Sequence, residues 1–133
     1  MVTLSNENLP IHAEIDIVTV RRRVREISAG LGFSLVDQTK MVTAASELAR
    51  NTMIYGGGGS MRAEALNGPR TGLRLTFQDQ GPGIPDIDLA LRDGFTTGSG
   101  LGLGLGGSKR LVNEFAISSR VGEGTTVTIT RWK

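Results

Sequence analysis

The chain has 133 residues, 38% of them hydrophobic and 5% aromatic, which suits one domain over residues 1–133 with a mainly aliphatic core. It contains no cysteine and one histidine, which excludes disulfides, thiolate metal sites and histidine clusters. A net charge of +2 is too weak a field for a nucleic-acid binder, and no apolar run is long enough to span a bilayer or serve as a signal sequence, so the expectation is a cytoplasmic protein with no nucleic-acid or membrane partner.

Residues 1–9 are polar and without periodicity, which predicts a flexible tail. Residues 11–15 alternate apolar and polar, predicting a short strand with His12 toward solvent; as a phosphoacceptor His12 would need an activating helix pair that the neighbouring sequence lacks. Asp16 reads as an N-cap, and Ile17, Val20, Val24, Ile27 and Leu31 then recur at helical spacing until Gly30 and Gly32 end the run. Arg21, Arg22, Arg23 and Arg25 occupy the other side, as a solvated face or a partner surface.

A second helix is expected from about Leu35, capped by Ser34, to Tyr55, where Gly56 begins a run of four glycines. Met41, Val42, Ala45, Leu48, Ala49 and Thr52 form its buried stripe, and Glu47 and Asn51 lie one turn apart on one face, away from the centre of that stripe. Residues 61–66 and 73–79 read as two strands joined by a Gly/Pro-rich hairpin loop. A helical turn is expected near 87–92, a helix over 109–114, and two final strands separated by Gly122, Glu123 and Gly124. This order predicts a two-layer α/β (α+β) sandwich, a mixed but mostly antiparallel sheet with helices on one face.

Between Asp79 and Gly107 lie nine of the 19 glycines. Such a run is a flexible linker or a cradle in which backbone amides approach phosphate oxygens. A strand carrying an acid runs into it, and the basic start Ser108-Lys109-Arg110 leaves it, which favours the cradle. Strand parity sharpens this reading: Leu73, Leu75 and Phe77 point to the core face, and Asp79 shares their parity. An inward carboxylate needs a donor, either the amides of the following turn or a ligand amine such as that of adenine, with Gly81 and Gly83 leaving room for the ring. Thr125 shares the parity of Val127 and Ile129 and could face the same pocket. Glu47 could merely pair with Arg50 on the surface; beside a phosphate loop, Asn51 suits Mg²⁺ and Glu47 suits a base. Amides of Gly100, Gly102 and Gly104 would hold phosphate charge, Lys109 or Arg110 would add a cation, and residues 94–104 would act as a lid.

The segments Glu47-Leu48-Ala49-Arg50-Asn51, Asp79-Gln80-Gly81-Pro82-Gly83 and Gly100-Leu101-Gly102-Leu103-Gly104 resemble, in order and spacing, the N-box and glycine boxes of the gyrase/Hsp90/histidine-kinase/MutL (GHKL) ATPases. Their Bergerat fold, with its ATP lid, agrees with the sandwich above. Within the superfamily the chain looks most similar to the RsbT-type serine/threonine switch kinases of the anti-sigma-factor-like group. The resemblance implies ATP and Mg²⁺ as cofactors, Asn51 as the Mg²⁺ ligand, Glu47 as the catalytic base and Asp79 as the adenine contact. It also places Gly81, Gly83, Gly100, Gly102, Gly104 and Thr125 around the nucleotide, and Leu101 and Lys109 are counted with them as candidate binding residues. It implies protein serine/threonine kinase activity toward STAS-domain antagonists in a stressosome pathway, with further regulators such as a phosphatase as partners. The alternative is an anti-sigma factor or partner-switching activator that acts mainly by binding.

Overall fold

The computed structural model describes residues 2–84, 86, 87, 91 and 102–133. Five strands, β1 (Val2–Ile11), β2 (Gly59–Asn67), β3 (Gly72–Asp79), β4 (Glu114–Arg120) and β5 (Gly124–Trp132), form one sheet in the order β1-β2-β3-β5-β4, and every neighbouring pair is antiparallel. Helices α1 (Glu14–Gly30), α2 (Leu35–Ile54) and α3 (Gly102–Arg110) complete the described elements.

The helices cover the sheet because their apolar stripes and its inward parity demand a common interior. Val20 and Val24 of α1 and Met41, Ala45 and Leu48 of α2 meet Met61, Leu75, Phe77 and Ile129 of the sheet in that core. The α2 stripe is buried as expected from its spacing, and Ser34 caps the helix through a 3.1 Å bond to the Asp37 amide.

Expectations for three stretches are corrected. Residues 1–9 are not a free tail: β1 pairs along β2 from Val2↔Asn67 to Ile11↔Gly59. An edge strand takes its order from this backbone ladder, so polar residues such as Asn6 and Asn8 can face solvent while Ile11 is fully buried. Consequently residues 11–15 are not a strand. The chain bends at His12 into α1, and Asp16, rather than being the N-cap, sits inside the first turn and accepts the amides of His12 (2.8 Å) and Ala13 (3.1 Å). Those two bonds hold its carboxyl below the usual carboxylate range.

The third correction concerns α3. The expected start at Ser108-Lys109-Arg110 is instead the last turn of a helix that begins at Gly102. Four glycines in nine residues argue against helix by propensity, but Leu105 (2% exposed) is driven into the interior and packing on α2 overrides that preference. The expected turn near 87–92 leaves one described trace, a 3.0 Å bond from the Leu91 amide to the Ile87 carbonyl.

Candidate nucleotide site

The sheet register builds one end of the site. A single row crosses all five strands as Ile11↔Gly59↔Asp79↔Thr125↔Ser119. The adjacent row, Leu9, Met61, Phe77, Val127 and Ile117, is wholly apolar. At this end of the sheet the helix-side face thus passes from an apolar row to one in which Asp79, Thr125 and Ser119 stand side by side.

Asp79 is half-buried and its Oδ1 accepts two amides, from Gly81 at 2.8 Å and Thr125 at 3.2 Å. The carboxylate thus caps the turn after β3, and it also lines a cleft. Its other oxygen lies toward Gly56, where an added Cβ would come within 2.7 Å of Oδ2 and 2.3 Å of the Asp79 Cβ. Gly81 is as tightly placed, since a Cβ there would stand 2.6 Å from the Gly56 Cα. These two glycines let the end of α2 press directly onto the turn after β3.

The cleft runs between α2, through Leu48, Asn51, Thr52 and the C-cap residue Tyr55, and the sheet, through Phe77, Asp79, Thr125 and Val127; Pro82, Gly83, Ile84 and Leu105 close it. Its walls are mostly apolar, with polar groups at few points, as in sites for a flat heterocycle. Two of those points lack partners: Asn51 Nδ2 and the Tyr55 hydroxyl are buried and make no hydrogen bond among the described residues. A buried polar atom left unpaired costs about 1–3 kcal/mol, so the cleft is matched to a ligand that brings polar atoms with it. The Thr125 hydroxyl, by contrast, is 2.8 Å from Ser119 Oγ, which also takes the Ile84 amide at 2.8 Å.

Of the expected site residues, Asn51, Asp79, Gly83 and Thr125 line this one cleft, and Gly81 stands behind Asp79. Glu47 is exposed one turn before Asn51 and does not line it. Gly102 and Gly104 fall in the first turn of α3, while Gly100, Leu101 and most of the expected lid lie outside the described residues. Lys109 is exposed in the last turn of α3, about 10 Å along the helix axis from Gly102, rather than at the helix start where the sequence reading put it. Tyr55 and Gly56 escaped the reading of the sequence. The position of Tyr55, four residues after Asn51 on the same helical face, could have found it; the contact of Gly56 with Asp79 is tertiary and left no local signal.

Comparison with known proteins places the chain in a family and a fold. Residues 36–133 match the family described as histidine kinase-, DNA gyrase B-, and HSP90-like ATPase. The chain is 46% identical over 123 residues, 92% of each chain, to the serine/threonine-protein kinase RsbT of Bacillus subtilis (strain 168). In fold it is similar to the mycobacterial sensor histidine kinase MprB, with a TM-score of 0.58 at 18% identity, covering 96% of this chain and 97% of that one. It is also similar to a chain of the SiaB-SiaC complex from Pseudomonas aeruginosa, with a TM-score of 0.60 at 12% identity, covering 98% and 91%.

Proposed function

The chain belongs to the histidine kinase-, DNA gyrase B-, and HSP90-like ATPase family and within it to the RsbT-type serine/threonine kinases, and from that premise we propose that it phosphorylates a STAS-domain regulatory protein with Mg²⁺·ATP in a stress-response partner-switching pathway. The observation that carries this reading is the shared cleft: one inward carboxylate on β3 and two unpaired donors on α2 face the same interior.

The residues fit the group. Asp79 Oδ2 is an acceptor matched to an exocyclic amine, and it stands at the edge of a mostly apolar cleft. Asn51 carries a neutral amide whose oxygen suits a hard cation. Among the described residues no group of three or more His, Asp or Glu side chains gathers into a metal cage, so a magnesium ion here would rely on Asn51 and on phosphate oxygens. Bound Mg²⁺·ATP supplies the transferable phosphoryl group. The first turn of α3, with Gly102 and Gly104, offers amides to the phosphates, and the segment with Gly100 and Leu101 precedes it.

Glu47 is the base in this scheme. Being exposed one turn from Asn51, it can be reached by a serine or threonine hydroxyl presented by a second protein, and it takes that proton while Asn51 and the loop amides hold charge. No helix among the described residues is long and apolar enough to cross a membrane, and we assign the activity to the cytoplasm. Incubating the purified chain with labelled ATP, Mg²⁺ and a STAS-domain protein should transfer label to serine or threonine. Equal, background-level labelling by wild type and Asn51→Ala across such partners would refute the kinase reading.

One observation favours a second role, binding without transfer. Val18, Arg21, Arg22, Arg25, Glu26 and Val42 line a groove of about 300 Å³ between α1 and α2. Arg25 is held by neutral partners, Gln38 Oε1 and Thr39 Oγ1, each at 3.3 Å, so its charge remains available to an acidic partner. Reversing Arg21 and Arg22 to glutamate should abolish partner capture if this groove docks a regulator, and unchanged capture would remove it.

A further inference from the structure

Six residues along β5 from Thr125, roughly 20 Å from the polar end of the sheet, Arg131 joins three elements. Its Nη1 donates to the Leu111 carbonyl at 2.9 Å, and its Nη2 to Asp37 Oδ1 at 2.7 Å. Leu111 directly follows α3, where a helix leaves carbonyls without intrahelical partners, and Asp37 lies in the first turn of α2. The guanidinium therefore sits at the negative end of one helix dipole, and its carboxylate partner at the positive end of another, the favourable arrangement at both. The clasp is well shielded, with the Arg131 side chain 15% exposed and that of Asp37 28% exposed.

The two helices so joined are the two that flank the cleft. Asn51 and Tyr55 lie toward the far end of α2, and Leu105 of α3 closes the cleft. A nine-residue helix with four glycines has little stability of its own, so its orientation depends on what it is fastened to. The neighbouring bonds, Trp132 amide to Asn113 Oδ1 at 2.7 Å and Asn113 amide to the Thr130 carbonyl at 3.0 Å, hold the chain beyond the helix rather than the helix end itself.

We propose that Arg131 is a positioning residue for nucleotide binding: by clasping the end of α3 to the start of α2, it holds the first turn of α3 at the phosphate side of a cleft it never touches. The inference rests on the nucleotide reading of that cleft. It divides the ligand into two parts, since the base is met by Asp79 on β3, which the clasp does not anchor, and the phosphates by α3, which it does. Loss of the clasp weakens ligands that carry phosphate and spares those that carry only the base and sugar.

The test is to measure the affinities of ATP and adenosine, together with KM and kcat for ATP, in wild type, Arg131→Ala and Asp37→Asn. Arg131→Ala should weaken ATP about tenfold and adenosine less than about twofold, the loss expected for one anchoring charge-assisted contact. KM should rise while kcat at saturating ATP holds. Asp37→Asn, a milder change at a more exposed site, should move the ratio of ATP to adenosine affinity in the same direction by a smaller factor, and it carries the test if Arg131→Ala does not fold. Equal weakening of both ligands, or no change in either, would overturn the proposal and leave Arg131 a purely structural residue. Wild type that binds neither ligand would instead overturn the nucleotide reading, and the clasp proposal with it.

Discussion

The two walls of the cleft are finished to different degrees. On the sheet side Asp79 is fixed by two amides and backed by Gly81, so its position is set before any ligand arrives. On the helix side Asn51 Nδ2 and the Tyr55 hydroxyl are buried without partners among the described residues. A wall whose polar groups are satisfied internally provides shape; a wall whose groups are not provides demand. The contrast teaches that stability and binding should separate by wall when residues are changed.

The largest effect is expected at Asn51. Asn51→Ala should lower phosphotransfer by about two to three orders of magnitude, as for loss of a group that organises phosphoryl transfer. Its melting temperature should hold or rise, because the change also removes an unpaired buried donor. A fall in melting temperature would break the contrast between the walls. Asp79→Asn should weaken adenine nucleotides by about ten- to a hundredfold, because it presents a donor where an acceptor faces the amine. The remaining oxygen still takes the Gly81 and Thr125 amides, so calorimetric titration should find a folded protein with poor affinity.

Gly56→Ala probes the frame itself. The new methyl would meet Asp79 at 2.3 Å, and chemical denaturation should register a loss of about 1–3 kcal/mol along with reduced nucleotide affinity. Tyr55→Phe should be smaller and opposite in sign for stability, a gain of up to about 1 kcal/mol, while nucleotide affinity falls a few-fold. Stability loss in Tyr55→Phe would mean that the hydroxyl is satisfied from within.

The smallest effect lies at the far end of the helices. Asp37 is held below the usual carboxylate range, first by its hydrogen bond to Arg131 and then by the charges of Arg131 and Lys40. A lowered folded value means that its stabilisation is fully present above the unfolded carboxylate pKa of about 3.9 and is lost as pH falls through the folded one. Asp37→Asn should therefore flatten the acid limb of the stability curve and leave its neutral plateau nearly unchanged in pH dependence.

Much of the frame could be read from residue order, because it rests on local periodicity. The α2 stripe, the two hairpins and the parity that turns Asp79 inward all follow from spacings of 3.6 and 2. What escaped is what long-range contact decides. β1 is ordered by the β2 ladder despite its polar residues, and α3 is helical despite its glycines, because Leu105 packs into the interior against α2. The same misreading put Lys109 at the start of α3, whereas it stands in the last turn. Asn51 and Asp79 were legible as a pair, whereas Gly56, whose importance lies in what its missing side chain permits, was visible only once α2 and β3 were seen to touch.

That touch has a further consequence. Where Gly56 meets Gly81, main chain rests on main chain, so the gap between the jaw bearing Asn51 and the jaw bearing Asp79 is gauged by peptide thickness and not by any side chain. Residues along the jaws, such as Leu48, Ile84 or Val127, can therefore drift in size and retune which ring is preferred without altering the width of the bite, and variation in this chain's relatives should concentrate there while the two glycines stay fixed.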